Sequence, residues 1–120
     1  MRATLLILTL MLVPALRAQA PVRSPNELKA FFAANCVKCH GPDGSGLGPE
    51  GKKLGGFDFT NANEAAKESD ADMAKAIRKG LFFGLRMPSF KDRLTEEDIQ
   101  RLVKEVLRKA EKGKVIAPAP

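Results

Sequence analysis

Cys36, Cys39 and His40 are the only two cysteines and the only histidine in the 120-residue chain, and they fall in one run, Cys36-Val37-Lys38-Cys39-His40. The order C-x-x-C-H has a specific chemistry, covalent haem attachment. Two thiols at that spacing can reach the two vinyl groups along one edge of a porphyrin, and the imidazole that follows is directed at the iron from the same side. Such a tether retains a cofactor in a chain too short to enclose it by packing alone. It also makes the haem part of the hydrophobic core, which helps a domain whose surface-to-volume ratio is unfavourable.

Three other chemistries compete for these residues. A disulfide across so short a loop adds little chain-entropy stabilisation. A thioredoxin-type dithiol needs a βαβ scaffold, whereas here a helical pattern precedes the motif and a glycine-rich loop follows it. A zinc site would have only three ligands at adjacent positions, a poor fit to tetrahedral geometry. The cysteine count also excludes a disulfide framework and a four-thiolate iron–sulfur cluster.

The elements that must position the motif begin after a leader. Arg2 is followed by the nine-residue apolar run Leu5–Val13 and then by small residues up to Ala18-Gln19-Ala20, the pattern of a secretory signal peptide over residues 1–20. A membrane span needs roughly 20 apolar residues, so the run is too short for a retained anchor. Ala18-x-Ala20 fits the cleavage pattern, but Pro21 would then follow the scissile bond, so cleavage after Ala18 is the alternative. Removing Arg2 and Arg17 with no acid lowers the formal charge from +6 by 2, to +4. The remaining chain reads as one domain over 21–112 and a flexible tail over 113–120.

Ser24, Pro25 and Glu27 form an N-terminal capping signature. Leu28, Phe31 and Phe32 then share one face of a helix that runs into Cys36. Residues 41–51 are mostly Gly and Pro, which predicts a loop. Ser69 or Asp70 opens a helix to about Lys79, with Met73, Ala76 and Ile77 on one face and Gly80 closing it. Thr95 caps the last helix, Glu96, Glu97 and Asp98 fill its first turn, and Leu94 can staple onto Ile99. The apolar positions Ile99, Leu102, Val103, Val106, Leu107 and Ala110 carry that helix towards Gly113. No strand pattern appears.

Two methionines remain once Met1 and Met11 leave with the leader. A thioether suits haem iron and raises its reduction potential relative to two imidazoles. Met73 lies mid-helix on an apolar face, as a gap-filling core residue would. Met87 lies between Arg86 and Pro88 in an irregular stretch with Phe82, Phe83, Leu85 and Phe90, bulky side chains that can exclude water, and it is the candidate sixth ligand.

With these residues in view, the chain resembles the class I c-type cytochromes of the small bacterial monohaem type, over essentially all of it beyond the leader. The resemblance is carried by Phe32 ahead of Cys36, by Cys36-Val37-Lys38-Cys39-His40-Gly41, by the glycine-rich loop, by Arg86-Met87-Pro88-Ser89-Phe90 and by Leu94-Thr95-Glu96-Glu97-Asp98-Ile99. It implies an all-α, cytochrome c-like fold of three to five helices around one covalent haem c, with iron held between His40 and Met87. It further implies that a proline carbonyl, best spaced at Pro49, accepts from the His40 imidazole and that Leu54 contacts the haem. Two positions depart from the family pattern: Leu28 stands where a small residue is usual, and no aromatic occurs near Glu105 or Val106.

The basic charge is mostly solvated lysine, and nothing in it interleaves with aromatics as nucleic-acid binding would need. Lys38, Lys52, Lys53, Lys91 and Arg93 lie sequence-near the expected haem surroundings and could face an acidic or membrane-bound redox partner. The sequence thus reads as a monomeric periplasmic one-electron carrier, not an enzyme. A cytochrome subunit of a dehydrogenase or reductase is the alternative, and a thiol-disulfide oxidoreductase is the distant one.

Overall fold

The computed structural model describes residues 20–120. Helix α1 spans Pro25–Asn35, and its capping box is formed: Glu27 N–H donates to the Ser24 hydroxyl, and Ser24 N–H donates to the Glu27 carboxylate. A further turn, α2 (Val37–His40), follows directly and contains Cys39 and His40. The glycine-rich loop holds a 3-10 turn, Pro49–Gly51. A short helix that the sequence reading lacked, α3 (Ala62–Ala65), starts where the Asn61 side chain accepts from the N–H groups of Asn63 and Glu64. Helix α4 spans Asp70–Lys79 with Ser69 as its cap. The described residues contain no strand, only the isolated bridges Leu47 to Lys53 and Leu81 to Met87. The fold is all-α, as expected.

The last helix differs from its expected form. It begins as α5 (Glu96–Arg101) under a Thr95–Asp98 capping box. It then loosens into a π-helical stretch, Leu102–Val106, and ends in a 3-10 turn, Leu107–Lys109, short of Gly113. Apolar side chains still face inward throughout. Leu28 and Phe32 of α1 share one core with Met73, Ala74 and Ile77 of α4 and with Ile99, Leu102, Val103, Val106 and Leu107. Burying one such side chain contributes about 1.5–3 kcal/mol, so this core sets the angle at which α1 delivers the C-x-x-C-H turn.

Polar ties fix the remaining walls. Asp98 is buried and accepts from Arg23 N–H and the Arg23 guanidinium at 2.8 and 2.7 Å. Arg108 reaches from the last helical turn to Asp70 at 2.7 Å and to the Ala65 and Glu68 carbonyls. Residues 113–120, read from sequence as a flexible tail, make specific contacts. Gly113 N–H donates to the Asp43 carboxylate at 2.7 Å, Ile116 N–H donates to the Pro42 carbonyl at 2.8 Å, and the Ile116 side chain is buried. An apolar Ile five residues from the end is the feature that anchors the segment. The leader reading concerns residues that lie, all but Ala20, outside those described.

Candidate functional site: a cavity between the C-x-x-C-H turn and Met87

A cavity of about 920 Å³ opens between the motif and α4. Cys36, Cys39, His40, Leu54 and Met87 all line it, and so does Met73, whose side chain is buried in the core. Five of the six residues singled out from the sequence for cofactor binding therefore meet in one space. The sixth, Pro49, is exposed and does not line it.

The imidazole has a different partner from the expected one. His40 Nδ1 lies 3.1 Å from the carbonyl oxygen of Phe57. A carbonyl only accepts, so Nδ1 carries the proton and Nε2 keeps its lone pair for a metal. The Pro49 carbonyl instead accepts from Lys52 N–H at 3.2 Å in its own turn. Spacing along the chain favoured Pro49, but the chain folds back so that Gly56 N–H donates to the Cys39 carbonyl at 2.9 Å, which brings Phe57 to the ring. Phe59 stacks on the imidazole at 4.9 Å between centroids. Burial pushes the His40 pKa down, and the bond to Phe57 opposes that shift without reversing it. The ring is therefore held neutral, the ligating form.

Gly56 permits this approach by having no side chain. A Cβ there would lie 2.2 Å from the Cys39 carbonyl oxygen and 2.9 Å from His40 N. Gly80 does the same on the far wall, where a Cβ would lie 2.4 Å from the Met87 carbonyl oxygen. The Met87 segment is fastened to the end of α4 by Leu81 N–H to the Met87 carbonyl at 2.9 Å, by Ser89 Oγ to the Arg78 carbonyl at 2.6 Å and by Phe90 N–H to the Ile77 carbonyl at 3.0 Å. Neither Gly56 nor Phe57 and Phe59 stood out in the sequence. The available signal was Gly55-Gly56-Phe57-Asp58-Phe59, two aromatics beside a glycine pair in a polar stretch.

The aromatic stretch before Met87 divides. Phe90 is buried and lines the cavity, whereas Phe82 and Leu85 are exposed and Phe83 is fully exposed. The expectation that these side chains jointly shield the site holds for Phe90 alone, because residues 81–87 turn back on themselves and aim the others outward. Of the basic residues considered for docking, Lys38, Lys52, Lys53, Lys91 and Arg93 are all exposed. Arg93 lies over the Phe31 ring, 5.2 Å from its centroid.

Neither cysteine is in a disulfide. Cys36 is half-buried, and burial pushes its free thiol up to about 12. Among the described residues, no group of three or more His, Cys, Asp and Glu side chains is placed to hold a metal ion. Two thiols and an imidazole with a free Nε2, set in a single turn beside a cavity of cofactor size, fit haem. An all-helical domain built around such a site is a small c-type cytochrome.

Comparison with known proteins agrees. Residues 23–104 match the family described as cytochrome C oxidase, cbb3-type, subunit III. Cytochrome c6 of Microcystis aeruginosa is 33% identical over 90 residues, 70% of this chain and 95% of that protein. A cytochrome c6-like protein of Nostoc sp. is 30% identical over 109 residues, 90% of this chain and 91% of that one. Among solved structures, the KustC0563 c-type cytochrome superposes with a TM-score of 0.57 at 33% identity, covering 70% of this chain and 96% of its own. The chain belongs to this cytochrome c family, the small class I c-type cytochromes, and its cofactor is a covalently bound haem c.

Proposed function

We propose that the protein is an exported, periplasmic one-electron carrier in which Cys36 and Cys39 would carry the thioether links and His40 Nε2 and the Met87 thioether would hold the iron. The observation that carries the reading is that these four residues line one cavity. The haem, when bound, supplies a one-electron couple whose potential the Met ligand raises. Each remaining role falls to the chain. Phe57 holds the Nδ1 proton and so fixes the ring's orientation and basicity. Phe59 limits the ring's rotation by stacking on it. Leu54 and Phe90 present apolar surface to the cavity and exclude water. Pro88 and the ties of Ser89 and Phe90 to α4 hold Met87 in place. With His40 and Met87 both committed to the iron, the chain would pass electrons rather than transform a substrate.

A second reading, that the chain is the cytochrome subunit of a larger redox complex, is favoured by the oxidase-subunit family it matches. No helix among the described residues is long and apolar enough to cross a membrane, so in such a complex the chain would attach to other subunits. A complex that stays together through purification from the native host distinguishes this reading from a free carrier.

The test of the ligand assignment sets Met87→Ala against Met73→Leu in the holoprotein. Met87→Ala removes the sulfur-to-ferric-iron charge-transfer band in the red, lowers the reduction potential and opens the iron to added small ligands. Met73→Leu leaves all three unchanged, since a near volume-conserving core swap costs less than about 1.5 kcal/mol. The opposite pattern would assign the sixth position to Met73.

A further inference from the structure

The C-terminal segment lands on the wall that backs the imidazole. Between Glu111 and Pro120 a single side chain, Ile116, is buried. It packs beside Gly44, where a Cβ would lie 3.3 Å from Ala110 Cβ, 3.4 Å from Ile116 Cδ1 and 3.5 Å from a ring carbon of Phe59. Ala110, Ile116 and Phe59 thus converge over one buried glycine, whose φ of 82° a bulkier residue would hold only under strain. Phe59 is the ring that stacks on His40, with 4.9 Å between centroids and an interplanar angle of 29°.

The backbone makes the same connection by hydrogen bonds. Gly113 N–H and Ile116 N–H donate to the Asp43 carboxylate and the Pro42 carbonyl. The second oxygen of Asp43 accepts from Ser45 N–H at 3.0 Å and from the Ser45 hydroxyl at 2.6 Å. The loop that these ties hold returns to the motif: Gly46 N–H donates to the His40 carbonyl at 2.7 Å, and Phe59 N–H donates to the Gly44 carbonyl at 2.8 Å. A further tie, from Ala119 N–H to the Asn26 side chain at 3.2 Å, keeps the end of the segment on α1.

From this we infer that residues 113–116 are a positioning strap for the His40 ring, with Ile116 and Asp43 as its two fastenings. The inference rests on the reading that His40 Nε2 holds the iron. With Nε2 so committed, the ring's remaining freedom is rotation about that bond. Phe57 checks the rotation at the ring's edge through one hydrogen bond of 3.1 Å, and a single such bond stays favourable over a broad range of angles. Phe59 checks it at the ring's face. Phe59 is itself only half-buried, so its grip on the imidazole depends on what stands behind it, which is Ile116 over Gly44. Ile116 and Asp43 therefore act on the site through Phe59 and the 41–46 loop, without lining the cavity themselves.

The experiment records proton NMR spectra of the ferric holoprotein, each sample well below its melting midpoint, for wild type, Ile116→Ala, Ile116→Leu, Asp43→Ala and Ile99→Val. The spread of the shifted haem methyl resonances follows the orientation of an axial imidazole. A merely structural role lowers the midpoint and leaves that spread alone. Ile116→Ala and Asp43→Ala are expected to narrow the spread, because a ring that rotates averages its orientations. Ile116→Leu, nearly volume-conserving, should keep the wild-type pattern. Ile99→Val removes core volume at a buried residue that does not line the cavity, and it should lower the midpoint and keep the pattern. A wild-type pattern in both Ile116→Ala and Asp43→Ala would overturn the inference and leave His40 ligation standing. Equal narrowing in Ile99→Val would also overturn it, since any loss of core would then do the same. Wild-type protein without shifted methyl resonances would overturn the ligand reading itself, and the strap with it.

Discussion

Gly56→Ala is the smallest change that tests how the chain holds its imidazole. Gly56 has no left-handed φ to explain its identity, so its need for glycine is spatial. The added Cβ would lie 2.2 Å from the Cys39 carbonyl oxygen, 2.6 Å from that carbonyl carbon and 2.9 Å from His40 N. All three are backbone atoms, which cannot swing aside as a side-chain tip could. Relief requires residues 55–57 to withdraw from the motif. That breaks the 2.9 Å bond from Gly56 N–H to Cys39 and the 3.1 Å contact between Phe57 O and His40 Nδ1. A lost backbone bond costs about 0.5–1.5 kcal/mol and an unpaired buried Nδ1–H about 1–3, so the variant should lose on the order of 2–4 kcal/mol. With a urea slope of about 1–3 kcal/mol/M, the midpoint of the holoprotein's melt should fall by about 0.7–4 M. The reduction potential should shift as well, because a ligating imidazole that loses its acceptor is less basic. Gly55→Ala is the control: its φ is 94° and its Cβ position is open, so it should cost only about 1–2 kcal/mol of conformational strain and leave the potential alone. A Gly56→Ala protein with the wild-type midpoint and potential would refute the close approach of residues 55–57 to the motif.

Two further outcomes follow from the ties described above. Burial alone would raise the Asp98 carboxyl, but the bonds from Arg23 and Thr95 outweigh it and hold the pKa below the usual carboxylate range. A depressed folded pKa gives stability that is complete above the unfolded value, about 3.9, and is lost as pH falls through the folded value. Denaturant midpoints should therefore drop steeply below about pH 4 in wild type and less steeply in Asp98→Asn; equal slopes would remove Asp98 from the acid transition. Ile116→Ala should lower stability by about 2–4 kcal/mol, as for other buried aliphatics, even though it lies in the C-terminal tail, and a neutral result would mean that the tail is not docked in solution.

How much the sequence disclosed depended on how local the determinants were. The caps at Ser24, Ser69 and Thr95 act within one helical turn, and each helix starts where its cap predicts. The C-x-x-C-H run was legible because haem attachment demands rare residue types at a fixed spacing, and Met87, singled out from the same sequence, lines the same cavity. What escaped notice depends on long-range approach. Phe57 reaches His40 only because Gly56 lets two distant backbones touch. The tail is fixed by Asp43 and Pro42, some 70 residues away in sequence. Phe83 read as a shield for the site because hydrophobicity alone does not reveal which way a turn aims a side chain. The softening of the last helix over Leu102–Val106 left no mark in a continuous apolar stripe, since an α-helix and a π-turn present similar faces over so few residues.

The central claim, that Cys36, Cys39, His40 and Met87 hold one haem c, is tested most directly by the intact mass and visible spectrum of protein exported from a host with a haem-attachment system. The account predicts a mass equal to the processed chain plus one haem, and reduced-state bands that survive acid-acetone extraction. A mass equal to the bare processed chain, with two titratable thiols and no visible absorbance, would contradict it.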